Sequence, residues 1–179
     1  GALMHIFNPD TKENGGIFSQ TQGWAILAEA LLGHGNRAFE VYRKTCPAYL
    51  EDISEIHRTE PYVYCQMVAG CDAPTHGEGK NSWLTGTAAW TFTCISQYIL
   101  GIQPTLDGLK VDPCIPDHME SFTCDRIYRG VTYHIHVDNS ANVQKGVARM
   151  VVDGIPMSGN LIPMPTDKDD CEVYVTMGI

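Results

Sequence analysis

The sequence has no CxxC pair, no run of eighteen apolar residues, no basic N-terminal region and no surplus of positive charge. Each absence removes a class of function. Its seven cysteines stand at 46, 65, 71, 94, 114, 124 and 171, and without close-spaced ligand pairs a zinc site is not expected. An odd number cannot all pair, so the expected reading is reduced cytosolic thiols filling small core positions. With no long apolar run, no transmembrane helix is expected. Gly1-Ala2-Leu3-Met4-His5 lacks the basic region, apolar stretch and cleavage site of a signal peptide; Gly1-Ala2 reads as a cloning remnant or a cut end. With 12 Lys and Arg against 21 Asp and Glu, the net charge is -9. That sign is wrong for a nucleic-acid backbone and favourable for solubility. GxSxG, P-loop and dinucleotide fingerprints are all missing. Charged residues make up only 18% of the 179, whereas apolar residues make up 44%, enough for one large domain or two small ones with a real core.

What is present changes character at about residue 104. Trp24, Leu27, Ala28 and Leu31 recur at i, i+3, i+4 and i+7, which predicts a helix with that face buried. Thr21 is its expected cap. Gly33-His34-Gly35-Asn36 supplies a stop, a turn and a new start. Phe39, Tyr42 and Cys46 continue on a second helix up to Pro47, so residues 21–46 read as a helical hairpin. Residues 48–61 are a polar loop or a short helix. Thr59-Glu60-Pro61 resembles a cap with proline in the first turn and predicts a helix through Tyr62, Val63 and Met67. After a loop rich in Gly, Pro and Asn, over about 70–84, Thr85-Gly86-Thr87 opens a long helix. Its apolar stripe is Ala88, Phe92, Ile95 and Ile99, and Gly101 closes it. Beyond residue 104 the period shortens to two. Val131, Tyr133, Ile135 and Val137 alternate with polar residues, Val147–Val152 alternate before an Asp153-Gly154 turn, and Val173, Val175 and Met177 repeat the pattern. Helices first and strands after predict an α+β chain or two domains.

Polar residues and glycines gather at the predicted helix starts: Lys12-Glu13-Asn14-Gly15-Gly16, Ser19-Gln20-Thr21-Gln22 and Thr85-Gly86-Thr87. Free N–H groups and a partial positive charge at a helix start can hold an oxyanion; an ordinary cap is the plainer account. His134 and His136 share a strand face and invite a metal reading, but no third ligand is evident. Solvent-facing histidines account for them.

Five blocks carry a resemblance: Lys12-Glu13-Asn14-Gly15-Gly16-Ile17-Phe18, Trp24-Ala25-Ile26-Leu27-Ala28-Glu29-Ala30, Glu60-Pro61-Tyr62-Val63-Tyr64, Lys80-Asn81-Ser82-Trp83-Leu84-Thr85-Gly86-Thr87-Ala88-Ala89-Trp90, and Asp112-Pro113-Cys114-Ile115-Pro116. In this order, over residues 7–178, they resemble the C-terminal end of the cellobiose phosphorylase family. Chitobiose, laminaribiose and cellodextrin phosphorylases are its close relatives. The resemblance implies that residues 1–103 are the last helices of an (α/α)6 catalytic barrel and 104–179 a C-terminal antiparallel β-sandwich. It implies an inverting phosphorolysis of a β-linked disaccharide, cellobiose by prevalence, to α-glucose 1-phosphate and a free sugar. Inorganic phosphate is then a co-substrate, no cofactor is needed, and the protein is a cytoplasmic homodimer.

By the same resemblance, Thr85 and Gly86 match phosphate-binding positions, Gln66 the donor-sugar glutamine and Lys12 the acceptor-side lysine. Gln20 stands where the family has a phosphate-contacting histidine, a donor without charge. Acceptor-side Glu and Tyr positions fall near Leu3 and Phe7, so acceptor choice is open. The family's catalytic Asp and a phosphate-binding Arg lie upstream of anything matched here, and Asp10 reads as a turn residue in Asn8-Pro9-Asp10. The 179 residues alone are therefore expected to be inactive, and barrel helices without neighbours would expose an apolar face. Trp83 and Trp90 either stack on sugar or pack in the fold; Tyr62 and Tyr64 read as packing, and Glu60 as a helix-start carboxylate. The alternative function is a non-catalytic carbohydrate-binding or structural module.

Overall fold

The structure, a computed structural model, describes residues 6–164 and 167–179; the expectations for Gly1-Ala2 and Leu3 fall outside them. The described residues are mixed α/β with three sheets. It divides into two compact units, Gly1–Ile26 with Glu40–Phe92 and Leu27–Phe39 with Thr93–Ile179.

The first unit holds a small antiparallel sheet, β1 (Ile17–Phe18), β2 (Cys65–Val68) and β3 (Gly79–Ser82), with β2 central. Phe18 pairs with Met67, and Met67 with Lys80. This corrects the helix expected from Thr59 onward and shortens the expected loop at 70–84. Val63, Cys65, Met67 and Ala69 are at most 4% exposed, while Tyr64, Gln66 and Val68 between them are half-buried. That is the period of a strand. Pro61 sits in a turn, with the Val63 N–H donating to the Glu60 carbonyl at 3.0 Å.

Among the described residues four α-helices occur, α1 (Gln20–Leu31), α2 (Gly35–Thr45), α3 (Ser54–His57) and α4 (Thr87–Thr93), the one expected after Thr59 being absent. Thr21 is not the cap of α1. The helix starts one residue earlier, the Ser19 carbonyl accepts from the Gln22 N–H, and the Thr21 hydroxyl donates back to the Phe18 carbonyl at 2.8 Å. The buried faces also differ from expectation. In α1 they are Gly23, Ile26 and Ala30, whereas Trp24 and Leu31 are 54% and 65% exposed. In α4 the buried residues are Thr87 and Thr91, and Phe92 is exposed. Both helices are apolar around much of their girth, so spacing alone does not choose the face. Small residues and short hydroxyls take the close contacts. After α4 the chain widens into a π-helical turn, Cys94–Ile99, and Gly101 at φ +74 ends it.

The second unit carries two sheets. β4 (Ile102–Pro104), β5 (Gly108–Val111) and β10 (Leu161–Pro163) form one, with β5 central. The other contains β6 (Ser121–Tyr128), β7 (Val131–Asp138), β8 (Val147–Val152), β9 (Ile155–Met157) and β11 (Asp170–Met177), in the order β6-β7-β11-β8-β9. Arg129-Gly130 and Asp153-Gly154 have φ values of 49° and 85°, and 49° and 81°, the paired positive φ of two-residue hairpins. Val131, Tyr133, Ile135 and Val137 are at most 5% exposed, and Cys171, Val173, Val175 and Met177 at most 3%. Each such side chain contributes roughly 1.5–3 kcal/mol relative to exposure. The pairing is not wholly antiparallel as expected: β11 runs parallel to β7, Val173 beside Ile135, and antiparallel to β8. On the outer face His134 lies between strands, Nδ1 2.8 Å from Asp125 Oδ1 and Nε2 3.3 Å from Asp170 Oδ1. His136 stacks on Tyr174 with ring centroids 4.8 Å apart and faces Glu172. Carboxylates and an aromatic ring of the adjacent strands engage these histidines.

Candidate functional site

The residues singled out in the sequence, spread from 12 to 86, meet within the first unit. The turn from Asp10 to Gly16 places Lys12 at φ +48, with the Gly16 N–H donating to the Lys12 carbonyl at 2.9 Å. A Cβ on Gly16 would lie 2.7 Å from the Lys12 amide nitrogen and 2.9 Å from Met67 Cε, so only glycine lets this turn close on β2. The ammonium of Lys12 then donates to Gln66 Oε1. One residue past β1, the Ser19 N–H donates to the Gln66 carbonyl at 3.0 Å, which sets Gln20 beside the same strand.

From Gln20 the contact passes to Gly86. A Cβ built on Gly86 would stand 3.3 Å from Gln20 Oε1 and 3.6 Å from Nε2; the bare glycine lets the carboxamide lie against the backbone. Thr85 precedes it. The Thr85 hydroxyl accepts from the Thr87 N–H at 3.1 Å and shares a 2.6 Å hydrogen bond with the Thr87 hydroxyl. This is a hydroxyl turn just before the helix, since the Gly86 carbonyl takes the first helical bond, from the Trp90 N–H at 3.1 Å, and it leaves room for a second role. Thr87 is 1% exposed. When its hydroxyl donates to Thr85, the Thr85 proton is free to point outward. Lys12 thus meets Gln66, Gln20 lies against Gly86, and the Ser19 amide ties the residue before Gln20 to the strand that carries Gln66.

Three features were missed by sequence reasoning. Ser19, 9% exposed, joins Gln20 to Gln66 through its backbone. Thr87 orients the Thr85 hydroxyl, and the Thr-x-Thr spacing was the available signal. Glu60 opens no helix: its Oε1 accepts from the Trp83 indole N–H at 3.0 Å. Its own backbone N–H first, and then the Trp83 donor, hold its carboxyl below the usual carboxylate value. Tyr64 is half-buried, and burial first, with Cys46 next, pushes its phenol up to about 12, as befits packing. Tyr62, read as packing too, is instead 75% exposed.

Asp10 behaves as a turn residue, at φ +55 with its carboxylate accepting from the Asp72 N–H at 2.7 Å. Among the described residues, Asp10, Cys71 and Asp72 bring three potential metal-ligand atoms within 4.8 Å of one another. Their carboxylate and thiol are engaged with each other. All seven cysteines are free thiols, five of them buried. No helix of the described residues is long and apolar enough to cross a membrane.

The family model described as the glycosyl hydrolase 94 superfamily, catalytic domain, matches residues 2–101. The chain is 42% identical over 167 residues to the N,N'-diacetylchitobiose phosphorylase of Vibrio proteolyticus, covering 93% of this chain and 21% of that protein. It is 46% identical over 143 residues to the protein of the same name from Vibrio furnissii, covering 80% and 18%. It is 35% identical over 171 residues to the solabiose phosphorylase of Paenibacillus borealis, covering 96% and 22%. The chain spans about a fifth of the length of these curated relatives.

Proposed function

The chain belongs to the glycosyl hydrolase 94 family, and from that premise we propose that it builds one wall of the active site of a disaccharide phosphorylase. Thr85 O–H, Gly86 N–H and the Gln20 carboxamide hold inorganic phosphate, while Gln66 and Lys12 hold the two sugars. The single observation that carries this reading is the connected contact set from Lys12 through Gln66 and Ser19 to Gln20 and Gly86. Residues with no local reason to meet are brought together, Lys12 with Gln66 and Gln20 with Gly86.

The chemistry follows from holding a dianion beside an anomeric carbon. A phosphate oxygen attacks C1 from the face opposite the glycosidic oxygen, the C1–O bond breaks, and a carboxylic acid protonates the leaving oxygen. A β-linkage becomes an α-sugar 1-phosphate, and the second sugar is released. Phosphate is the nucleophile, so no base is needed to activate water. The acid and a phosphate-binding arginine come from outside these residues, in a cytoplasmic homodimer whose catalytic barrel ends with residues 1–103 and whose terminal sandwich is 104–179. The 179 residues alone are then inactive. Prevalence in the family favours cellobiose, whereas the name of the Vibrio relatives favours N,N'-diacetylchitobiose, so both are assayed.

The test is Thr85→Val in the complete protein, following α-sugar 1-phosphate formation from cellobiose or N,N'-diacetylchitobiose as inorganic phosphate is varied. One lost hydrogen bond to a charged group is worth about 1.5–3 kcal/mol, so the KM for phosphate should rise roughly tenfold or more. Thr85→Ser, which keeps the hydroxyl and the turn, should restore it. A Thr85→Val protein with unchanged phosphate dependence would sink the assignment.

A further inference from the structure

We propose that Trp83 is a stacking platform for a pyranose ring at the rim of this site, with Glu60 accepting from that sugar's hydroxyls. The proposal rests on the phosphorylase reading above and adds a sugar contact to it. The two tryptophans left open by the sequence part company in the structure: Trp83 is 65% exposed and Trp90 37%. An indole exposed to that degree offers a ring face to solvent. A freely exposed indole would also be mobile, and this one is pinned in three ways. Its backbone sits at φ +71, a conformation unfavourable to a bulky side chain. Its N–H is committed to Glu60 Oε1 at 3.0 Å. The Tyr62 ring meets it edge-on, centroids 6.3 Å apart and planes at 73°. The result is a fixed aromatic face with its one polar atom already satisfied.

The place matters as much as the posture. Between Trp83 and the start of α4 lies a hollow of about 100 Å³ lined by Tyr62, Val63, Tyr64, Trp83, Thr85 and Ala88. Thr85, the proposed phosphate donor, is thus a wall of the same hollow. The hollow is too small to enclose a pyranose, so the sugar lies across it on the indole, beside the anion.

The chemistry of the patch selects a sugar over an apolar protein surface. A pyranose has C–H faces that suit an aromatic ring and a rim of hydroxyls that need acceptors. Here an ionised, half-buried carboxylate stands at the edge of the ring, with its pKa held low by the hydrogen bonds already described. An apolar partner covering Trp83 would strip water from the Glu60 carboxylate with nothing to replace it. A sugar hydroxyl replaces that water directly.

The experiment follows the ¹⁹F resonance of Trp83 in the complete protein labelled with fluorotryptophan, assigned by the Trp83→Phe variant. Cellobiose and N,N'-diacetylchitobiose are titrated with and without inorganic phosphate. The Trp83 signal should move saturably with at least one disaccharide. Trp83→Leu should weaken that affinity roughly three- to tenfold, and Glu60→Gln, which keeps an acceptor but loses the charge, should weaken it by a smaller factor. Melting curves of both variants confirm that the chain stays folded. A Trp83 signal that stays still at saturating sugar overturns the proposal, as does an equal affinity in Trp83→Leu. The two readings fail separately: a silent Trp83 with a phosphate-dependent complete protein removes only the platform, whereas unchanged phosphate dependence in Thr85→Val removes the phosphorylase assignment whatever Trp83 does.

Discussion

Replacing Gly86 by alanine should raise stability and weaken phosphate binding at once. Gly86 has no left-handed φ, so alanine fits its backbone. Gly→Ala at such a position stabilises by about 0.4–1 kcal/mol, mainly by restricting the unfolded chain. In a chain of this size that is a rise in Tm of roughly 1–4 °C. The new Cβ would stand 3.3 Å from Gln20 Oε1, 3.4 Å from Cδ and 3.6 Å from Nε2, so the carboxamide must withdraw by a few tenths of an ångström. That separates Gln20 from the Gly86 amide and would spoil the convergence of three donors proposed for phosphate. Losing one charge-assisted hydrogen bond costs about 1.5–3 kcal/mol, which raises the KM for phosphate roughly 10- to 150-fold. Calorimetric melting of the chain and phosphate kinetics of the complete protein measure the two effects. A higher Tm with an unchanged phosphate KM would show that Gln20 and Gly86 do not act together on phosphate. A lower Tm would refute the backbone argument itself.

Two further outcomes test the fold. Hydrogen bonds from Asp125, then Asp170, hold His134 above its ordinary value of 6.5. The stability it lends to β6, β7 and β11 is complete below about pH 6.5 and is lost as pH rises through the raised value. Tm should therefore fall on the alkaline side of 6.5 more steeply in the native chain than in His134→Gln, and parallel curves would count against the strand tie. Gly35 packs where a Cβ would lie 2.1 Å from the Ile115 carbonyl oxygen and 2.6 Å from its carbon. Backbone cannot yield as a side chain does, so Gly35→Ala should cost about 3 kcal/mol, read as a drop in the denaturation midpoint at unchanged slope.

The strands after residue 104 could be read from the sequence because one buried face leaves a strict period of two. Val131, Tyr133, Ile135 and Val137 carry it without interruption. The same period is silent about partner direction, which is why the parallel pairing of β11 with β7 escaped. Residues 63–69 also alternate, but the Thr59-Glu60-Pro61 signal and the spacing of Val63 and Met67 pointed to a helix. What decided for a strand was pairing with residues near 17 and 80, a non-local contact that outweighs local preference. In the candidate site, Lys12, Gln20, Gln66, Thr85 and Gly86 were named through resemblance. The Ser19 amide that ties them, and the φ of Trp83, exist only in three dimensions.

The place of β11 in the five-stranded sheet has a consequence for biosynthesis. Of these five strands it comes last in the chain and it lies between β7 and β8, so until the ribosome has made the chain through Met177 the sheet is two separate hairpins, β6-β7 and β8-β9. Each leaves a bare inner edge with its backbone donors and acceptors open. Nascent chains of this protein therefore carry an interval of enforced incompleteness, with the edges of β7 and β8 unpaired. Premature termination anywhere before Asp170 would fix that interval permanently and turn the product toward aggregation.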